Sequence, residues 1–210
     1  QGYNMVRGTR HLLGIKTKRF RQITEILRNT VISAGYEEFI PSLLAEQEVF
    51  IEKAGKEVLG QMYTFKDKGN RDICLIPEVT AIIQKLYKEE WSKSFPKPIK
   101  LFYLTKCFRY EKPQSGRYRE FWQFGIELLG GKIIEDEREV RKLLQDCLFA
   151  LGLKKFRVIN KVKRGLQYYV EDGFEIEWDS LGAQKQIAGG GRYDGGIGWA
   201  IGIDRLMLCK

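Results

Sequence analysis

"FRYEKPQSGRYREFWQFGIE", from Phe108 to Glu127, is the most informative stretch of the chain. Cations, anions and aromatic residues alternate along it almost residue by residue, which a plain surface hairpin does not require. LFYLTKCFRYE at its start and EFWQFGIELLG at its end have the aromatic and aliphatic content typical of strands. KPQSGRY between them carries the proline and glycine typical of a loop. The stretch therefore predicts two antiparallel strands joined by a charged loop.

Spacing within these two strands brings polar side chains onto common faces. Arg109 and Glu111 are two residues apart, and side chains alternate along a strand, so both lie on one face of the first strand. Gln123 and Glu127 share a face of the second strand by the same rule. A pocket for a charged, flat ligand would need such a set of groups.

The loop and the start of the second strand supply other groups that suit a nucleotide. Arg117 and Arg119 carry guanidinium forks, which match phosphate oxygens better than an ammonium group does. Phe121 offers a ring on which a flat base can stack. The alternative, from chemistry alone, is a charged hairpin held by cross-strand ion pairs, and both interpretations stay open at this point.

The remaining sequence predicts single helices among short strands. Apolar residues at spacings of three and four predict a helix over 18–34, with Gly35 placed to end it. EVTAIIQKLYKEEW and DEREVRKLLQDCLFALGL predict further helices. FRVIN, QYYVED and FEIEWD predict strands, and AGGGRYDGG predicts a glycine-rich turn. We therefore expect an α+β fold with an antiparallel β-sheet flanked by helices.

Two local patterns predict where particular residues lie in the fold. YEEFIPSLL predicts a short strand interrupted by Pro41, which a sheet tolerates at an edge, so this strand is expected at a border or an interface. Because adjacent strand residues face opposite ways, we expect at most one of Tyr168 and Tyr169 to line a pocket. Residues 1–4 are interpreted as a tag remnant, and 5–210 as a single domain.

Composition narrows the class of function. The 210 residues carry a formal net charge of +9, which predicts a polyanionic partner, although a lysine-rich surface that only aids solubility fits equally well. Four cysteines form no CxxC pair and His11 is the single histidine, which argues against a usual zinc site and against a hydrolase with a histidine base. Reduced cysteines predict a cytoplasmic protein, and no apolar stretch is long enough to span a membrane.

Six segments, in sequence order, resemble the motifs of the histidyl-tRNA synthetase family within the class II aminoacyl-tRNA synthetases. The quoted stretch is similar to motif 2, GYEEFIPSLL to motif 1 and GWAIGIDRL to motif 3. LIPEVTA resembles the Pro-Glu-x-Thr segment, KRGLQYY the Arg-Gly-Leu-x-Tyr-Tyr segment, and AGGGRYDGG the second histidine-specific motif. One such match is weak evidence, whereas the ordered set is specific. The resemblance runs from about Met5 to the C-terminus and implies the class II catalytic fold.

The resemblance implies a set of residues that bind ATP. Arg109 would hold the α-phosphate and Arg205 the far end of the triphosphate, while Arg117 would touch the outer phosphates. Phe121 would stack on adenine, and Glu111 would contact its amino group. Mg²⁺ would accompany ATP, held by few carboxylates and mostly by water and phosphate. The residues that bind such a metal stay unassigned.

The resemblance also implies a set of residues that bind the amino acid, expected to be histidine. Those matching the family are Glu78, Thr80, Gln123, Glu127, Arg164, Tyr169 and Tyr193. The implied reaction is attack of a carboxylate on the α-phosphorus with loss of pyrophosphate. Arg109, Arg164 and Arg205 would be the catalytic arginines, because guanidinium groups cancel the repulsion between the two anions. Positioning supplies the rest, so no side-chain nucleophile is required.

Partners follow from the same resemblance. The family forms homodimers through motif 1, and it transfers the activated amino acid to tRNA. The family also has an inserted domain between motif 2 and the Arg-Gly-Leu segment, where this chain has only residues 130–163, and an anticodon-binding domain beyond motif 3. We therefore expect transfer to tRNA at reduced efficiency. The alternatives are a histidine-sensing regulatory paralogue, such as the synthetase-like subunit of ATP phosphoribosyltransferase, and a small nucleic-acid-binding module.

Overall fold

The computed structural model describes residues 3–53, 55–163, 166, 168–182 and 184–209. The helices in these residues are α1 (Ile15–Ser33), α2 (Glu48–Ile51), α3 (Lys56–Gln61), α4 (Thr80–Leu86), α5 (Ser92–Ser94), α6 (Ile133–Ala150) and α7 (Ile203–Leu206). The strands are β1 (Glu37–Glu38), β2 (Leu44–Glu46), β3 (Thr64–Lys66), β4 (Asp72–Leu75), β5 (Ile99–Phe108), β6 (Glu120–Leu129), β7 (Arg157–Val162), β8 (Gly173–Glu177), β9 (Gln186–Tyr193) and β10 (Gly196–Gly202). A π-helical turn, Tyr87–Trp91, joins α4 to α5.

Seven strands form one sheet in the order β1-β5-β6-β10-β9-β8-β7, and β2-β4-β3 form a small second sheet. Every neighbouring pair is antiparallel except β1 and β5, which are parallel. The predicted α+β fold with an antiparallel sheet is therefore confirmed. β1 is an edge strand, as expected for the segment that contains Pro41.

The long pair β5–β6 forms the part of the large sheet on which the site is built. Its register runs from Ile99 opposite Leu129 to Phe108 opposite Glu120, so the charged loop lies at one end of the pair. Side chains alternate between the two faces of the sheet. Phe102 belongs to one apolar core and Tyr103 to the other, so the pair separates two cores.

The first core lies under the two long helices. Helix α1 buries Phe20, Ile23, Leu27 and Val31 at the predicted spacings and ends before Gly35, whose φ of 87° suits glycine. Helix α6 buries a similar stripe, made of Val140, Leu143, Leu144, Cys147 and Leu148. Both stripes pack on the same face of the large sheet. No described helix is both long and apolar enough to cross a membrane.

The second core lies on the opposite face, between the large sheet, helix α4 and the small sheet. Ile76, Val79 and Ile83 are fully buried there, together with Cys74 and Cys107. Burial raises the pKa of the Cys74 thiol to about 11 and that of Cys107 to about 12, because a thiolate loses its hydration. These cysteines are therefore inert thiols within an apolar core.

The predicted glycine-rich turn is wrong, because most of AGGGRYDGG lies in strand β9. A Cβ at Gly190 would be 2.3 Å from the carbonyl oxygen of Gly198, so the glycines serve close contact within the sheet. The turn itself is confined to Asp194 and Gly195. The predicted QYYVED strand is also wrong, because its described residues form only an isolated bridge between Tyr169 and Tyr193.

Candidate active site

A cavity of about 560 Å³ opens above the sheet, between β5–β6, the glycine-rich strand β9 and the short helix α7. Most residues that the sequence singles out line it: Glu78, Thr80, Arg109, Glu111, Arg117, Phe121, Gln123, Tyr169 and Arg205. Glu127 and Tyr193 are buried next to Thr80. Arg164 lies outside the described residues. Positions far apart in the chain thus meet at one cavity, while their individual roles stay predictions.

Arg109 and Phe121 face each other at the mouth of β5–β6. The Arg109 guanidinium carbon is 5.4 Å from the centre of the Phe121 ring, and Arg109 Nε donates to the carbonyl oxygen of Pro77 at 2.9 Å. The Pro77 contact leaves the terminal nitrogens of the guanidinium for an anion. A cation beside a half-buried ring that lines the cavity suits the junction between a phosphate and a base.

The two other described arginines of the predicted set reach the cavity from different elements. Arg117, on the charged loop, pairs with Glu111 and donates from Nη1 to Gln184 Oε1 at 2.7 Å. Arg205, on α7, donates from Nε to the carbonyl oxygen of Gln186 at 2.7 Å. Burial, followed by the charge of Arg117, lowers the pKa of Arg205. Two like charges thus lie close together, and an added anion would neutralise them.

Glu127 forms the buried polar end of the site. Thr80 Oγ1 donates to its Oε1 at 2.6 Å, and the Tyr193 hydroxyl donates to its Oε2 at 2.6 Å. The residue is only 1% exposed, and burial raises the pKa of its carboxyl to about 8. A cation or a ring N–H brought next to it would favour its ionised form.

Glu78 is a second buried acid, at the start of α4. Its carboxylate accepts the backbone N–H of Ala81 at 3.1 Å, and the Tyr168 hydroxyl donates to its Oε2 at 3.2 Å. Burial raises the pKa of this carboxyl to about 7, although the Ala81 hydrogen bond and the charge of Arg109 act in the opposite direction. Glu78 therefore caps a helix and lines the cavity at the same time.

Tyr168 and Tyr169 both line the cavity, so the prediction that at most one would do so is wrong. Their ring centres are 4.6 Å apart, which the alternation of a strand would not allow. The prediction failed because residues 168–169 do not lie in a strand. Sequence reasoning therefore missed Tyr168 as a site residue, and its place beside Tyr169 was the available signal.

Gln123 lines the cavity between the two ends of the site. The thiol of Cys107 lies 3.4 Å from its Oε1, so a donor in the core fixes the amide. Tyr103, which the sequence did not single out, also lines the cavity. A Cβ at Gly125 would be 2.4 Å from the Tyr103 hydroxyl, so a larger residue there would displace this ring. Gln123 and Tyr103 thus form an ordered floor.

The described residues contain no cluster of three or more histidine, cysteine or acidic side chains that could hold a metal alone. Glu111 and Glu175 do line the cavity, and carboxylate oxygens are the ligands that Mg²⁺ prefers. This sparse set fits a magnesium ion that arrives with phosphate oxygens and keeps most of its water. It does not fit a permanent structural metal.

An antiparallel sheet that carries arginines, an aromatic residue and buried acids around one cavity is the arrangement of a class II aminoacyl-tRNA synthetase core. The family model for histidyl-tRNA synthetase matches residues 8–163. The chain belongs to the histidyl-tRNA synthetase family.

Individual relatives agree with this assignment. A histidine–tRNA ligase of Methanosarcina acetivorans is 38% identical over 202 residues, covering 88% of this chain and 49% of that protein. The chain thus spans about half the length of this curated relative. The apo histidyl-tRNA synthetase of S. aureus superposes with a TM-score of 0.83 at 28% identity, covering 99% of this chain and 70% of the other.

A further structural neighbour matches in fold alone. It is described as an ATP phosphoribosyltransferase regulatory subunit/histidyl-tRNA synthetase from Bacillus halodurans C. Its TM-score is 0.85 at 17% identity, and the match covers 98% of this chain and 82% of that one.

Proposed function

We propose that this chain activates histidine with ATP, forming histidyl-adenylate and pyrophosphate. The observation that carries the proposal is that three described arginines and the buried acid Glu78 line one cavity, and that a second buried acid, Glu127, accepts a hydrogen bond from Thr80 in the cavity wall. Arg109 and Arg205 are proposed to hold the triphosphate, and Glu78 and Glu127 the amino acid. A regulatory sensor of histidine alone would not need this arginine set.

In the proposed reaction, a carboxylate oxygen of histidine forms a bond to the α-phosphorus, and the bond from that phosphorus to the pyrophosphate oxygen breaks. Arg109 holds the α-phosphate and Arg205 the outer phosphates, so that developing charge meets fixed guanidinium groups. Arg164 is proposed to hold the reacting carboxylate. Mg²⁺, when bound to ATP, neutralises phosphate charge.

The amino acid end explains the proposed choice of histidine. Glu127, held by Thr80 and Tyr193, supplies an acceptor for a ring N–H of the imidazole. Glu78 and Gln123 are proposed to receive the ammonium group, and Tyr169 to flank the ring. An amino acid without a ring N–H would leave Glu127 buried without this partner, which such a site rejects strongly.

Transfer of the activated histidine to tRNA, a homodimeric state and a cytoplasmic location complete the proposal. The net charge of +9 supports a polyanionic partner. Family membership supports both transfer and dimer formation.

The direct test of activation is exchange of labelled pyrophosphate into ATP. We expect exchange with histidine and with none of the other nineteen standard amino acids. Arg109→Ala should reduce exchange by at least a hundredfold with an unchanged circular dichroism spectrum, because it removes a guanidinium from the transition state. Lys142→Ala, which removes a cation from the exposed side of α6, should exchange normally. Absence of exchange in the unmodified protein, combined with tight histidine binding, would instead favour the regulatory paralogue.

A further inference from the structure

Residues Gly8–Arg10, here called the N-terminal strap, lie against the end of the charged loop. The carbonyl oxygen of Gly8 accepts the backbone N–H of Arg119 at 2.8 Å and that of Glu120 at 3.4 Å. Gly8 has a φ of +81°, and a Cβ there would be 2.7 Å from Arg119 Cγ. Glycine is therefore required for this close contact, which fixes the strap to the loop.

One side chain of the strap contacts two functional elements. The guanidinium carbon of Arg10 is 4.5 Å from the centre of the Tyr118 ring, and Arg10 Nη2 donates to Asp204 Oδ1. Tyr118 is the neighbour of Arg117, and Asp204 is the neighbour of Arg205. Arg10 thus contacts the sequence neighbour of each of the two arginines proposed to hold the outer phosphates.

Asp204 links this contact to the sheet. Its side chain is only 4% exposed, and its Oδ2 accepts the backbone N–H of Trp122 at 2.7 Å. A buried carboxylate needs its partners, because leaving it unpaired is costly. Helix α7 has only four residues, Ile203–Leu206, too few to hold a stable direction without tertiary contacts. Arg205 has its own contacts with the carbonyl oxygens of Gln184 and Gln186, and the anchoring of Asp204 adds a second restraint on the short helix that carries it.

We infer that Arg10 is a positioning residue for the triphosphate, acting from behind the cavity through Tyr118 and Asp204. Arg10 is not among the described residues that line the cavity, whereas Tyr118 and Asp204 are. Its planar guanidinium stacks on a ring and pairs with a carboxylate at once, and the ammonium of a lysine cannot do both as well. This inference rests on the proposed function, because it assumes that the cavity holds ATP.

The test measures the Michaelis constants for ATP and for histidine separately, in pyrophosphate exchange by the full chain. Arg10→Gln should raise the constant for ATP about tenfold, because a small displacement of the phosphate-binding groups is enough to weaken their contacts. The constant for histidine should change less than twofold. Arg10→Lys should give an intermediate value, and Arg7→Gln, which removes the same charge nearby, should match the unmodified protein.

A double variant checks the route through Asp204. If Arg10 acts by holding Asp204, Arg10→Gln together with Asp204→Asn should weaken ATP no more than about twofold beyond Arg10→Gln alone. If the increase in the Michaelis constant for ATP in the double variant equals the product of the increases in the two single variants, this route is overturned. Equal increases in both Michaelis constants, tracking a lower melting temperature, would show a merely structural role and overturn the inference.

A direct binding measurement separates the inference from the proposed function. Titration of each variant with ATP and Mg²⁺, without amino acid, reports on the phosphate end alone. Weaker ATP binding by Arg10→Gln supports the inference even if the unmodified protein shows no pyrophosphate exchange. Absence of exchange would count only against the proposed activation of histidine. Equal ATP affinity of Arg10→Gln and the unmodified protein would overturn the inference whatever the exchange assay gives.

Discussion

Glu127 shows how the surroundings of one residue can set its chemistry. Two hydroxyl groups donate to its two oxygens, yet burial still raises the pKa of the carboxyl from its ordinary value of 4.5 to about 8. Glu78, nearby, is raised to about 7 for the same main reason. Near neutral pH these acids therefore lie close to the point at which they change charge. A cationic ligand would favour the ionised form, and its binding would release protons.

Glu127→Gln should change how the stability of the protein depends on pH. Because the folded pKa is raised, the folded form binds the proton more tightly than the unfolded form. The stabilisation from Glu127 is therefore fully present below about pH 4.5 and is lost as the pH rises through about 8. Relative to the unmodified protein, the variant should gain on the order of 5 kcal/mol of folding stability between about pH 4.5 and about 8. Urea unfolding at a series of pH values measures this difference.

Parallel stability curves for the two proteins would contradict the assigned pKa. Thr30→Val, a change on the exposed side of α1, serves as a control that removes a hydroxyl without affecting any buried acid. Its curve should run parallel to that of the unmodified protein.

At the scale of elements, strand β9 places Gly190 and Gly191 at crowded positions of the sheet. A Cβ at Gly190 would approach the backbone of Gly198, the side chain of Trp199 and the ring of Phe174. At Gly191 a Cβ would be 2.9 Å from the Tyr169 ring. The absence of side chains thus allows aromatic rings to pack directly on the strand beside the cavity.

Gly190→Ala should therefore destabilise the protein by about 1–3 kcal/mol, because the backbone oxygen of Gly198 cannot easily move aside. Chemical denaturation followed by tryptophan fluorescence measures the loss. Gly60→Ala, in helix α3, offers a matched control, since nothing lies within 4 Å of a Cβ there. That change should leave stability unchanged or raise it slightly. Similar losses for the two variants would argue against crowding as the cause.

The elements that sequence could predict are those with a strong local period. The apolar spacing in α1 and α6 and the paired strands β5 and β6 follow from local rules, and β6 places Gln123 and Glu127 on one face as predicted. The prediction that Arg109 and Glu111 lie on one face of the first strand is wrong, because β5 ends at Phe108. The glycines of strand β9 predicted a turn, because the neighbouring strands that leave no room for side chains there are not visible in the local sequence. The resemblance implied Thr80, Tyr193 and Glu127 as site residues. Their hydrogen bonds could not be predicted, because these positions are far apart in the sequence and meet only in the fold.

At the scale of the whole molecule, large apolar side chains remain exposed before and after helix α1. Ile40 is 79% exposed and Leu44 is 53% exposed, both in the segment that includes edge strand β1 and Pro41. Leu13 and Ile15, at the start of α1, are also exposed. Ile40 and Leu44 lie in the segment that resembles motif 1, and exposed apolar side chains are typical of surfaces that bind another protein.

We predict that the protein is a dimer through this surface. Light scattering should give about twice the chain mass of 24.4 kDa. Ile40→Asp should shift the protein towards the monomer, because a carboxylate would be buried at the interface. Ile134→Asp, at a similarly exposed position on α6, should leave the mass unchanged. A monomer in the unmodified protein would contradict the prediction.

The contact between Arg10 and Asp204 joins residues 194 positions apart. During synthesis on a ribosome, Arg10 emerges first and its carboxylate partner follows 194 residues later. Closing so long a loop is slow compared with forming local helices. The end of the cavity that is proposed to hold the triphosphate is therefore assembled only after residue 204 has been translated, and a nascent chain that stops before it would leave the Arg10 guanidinium without this partner.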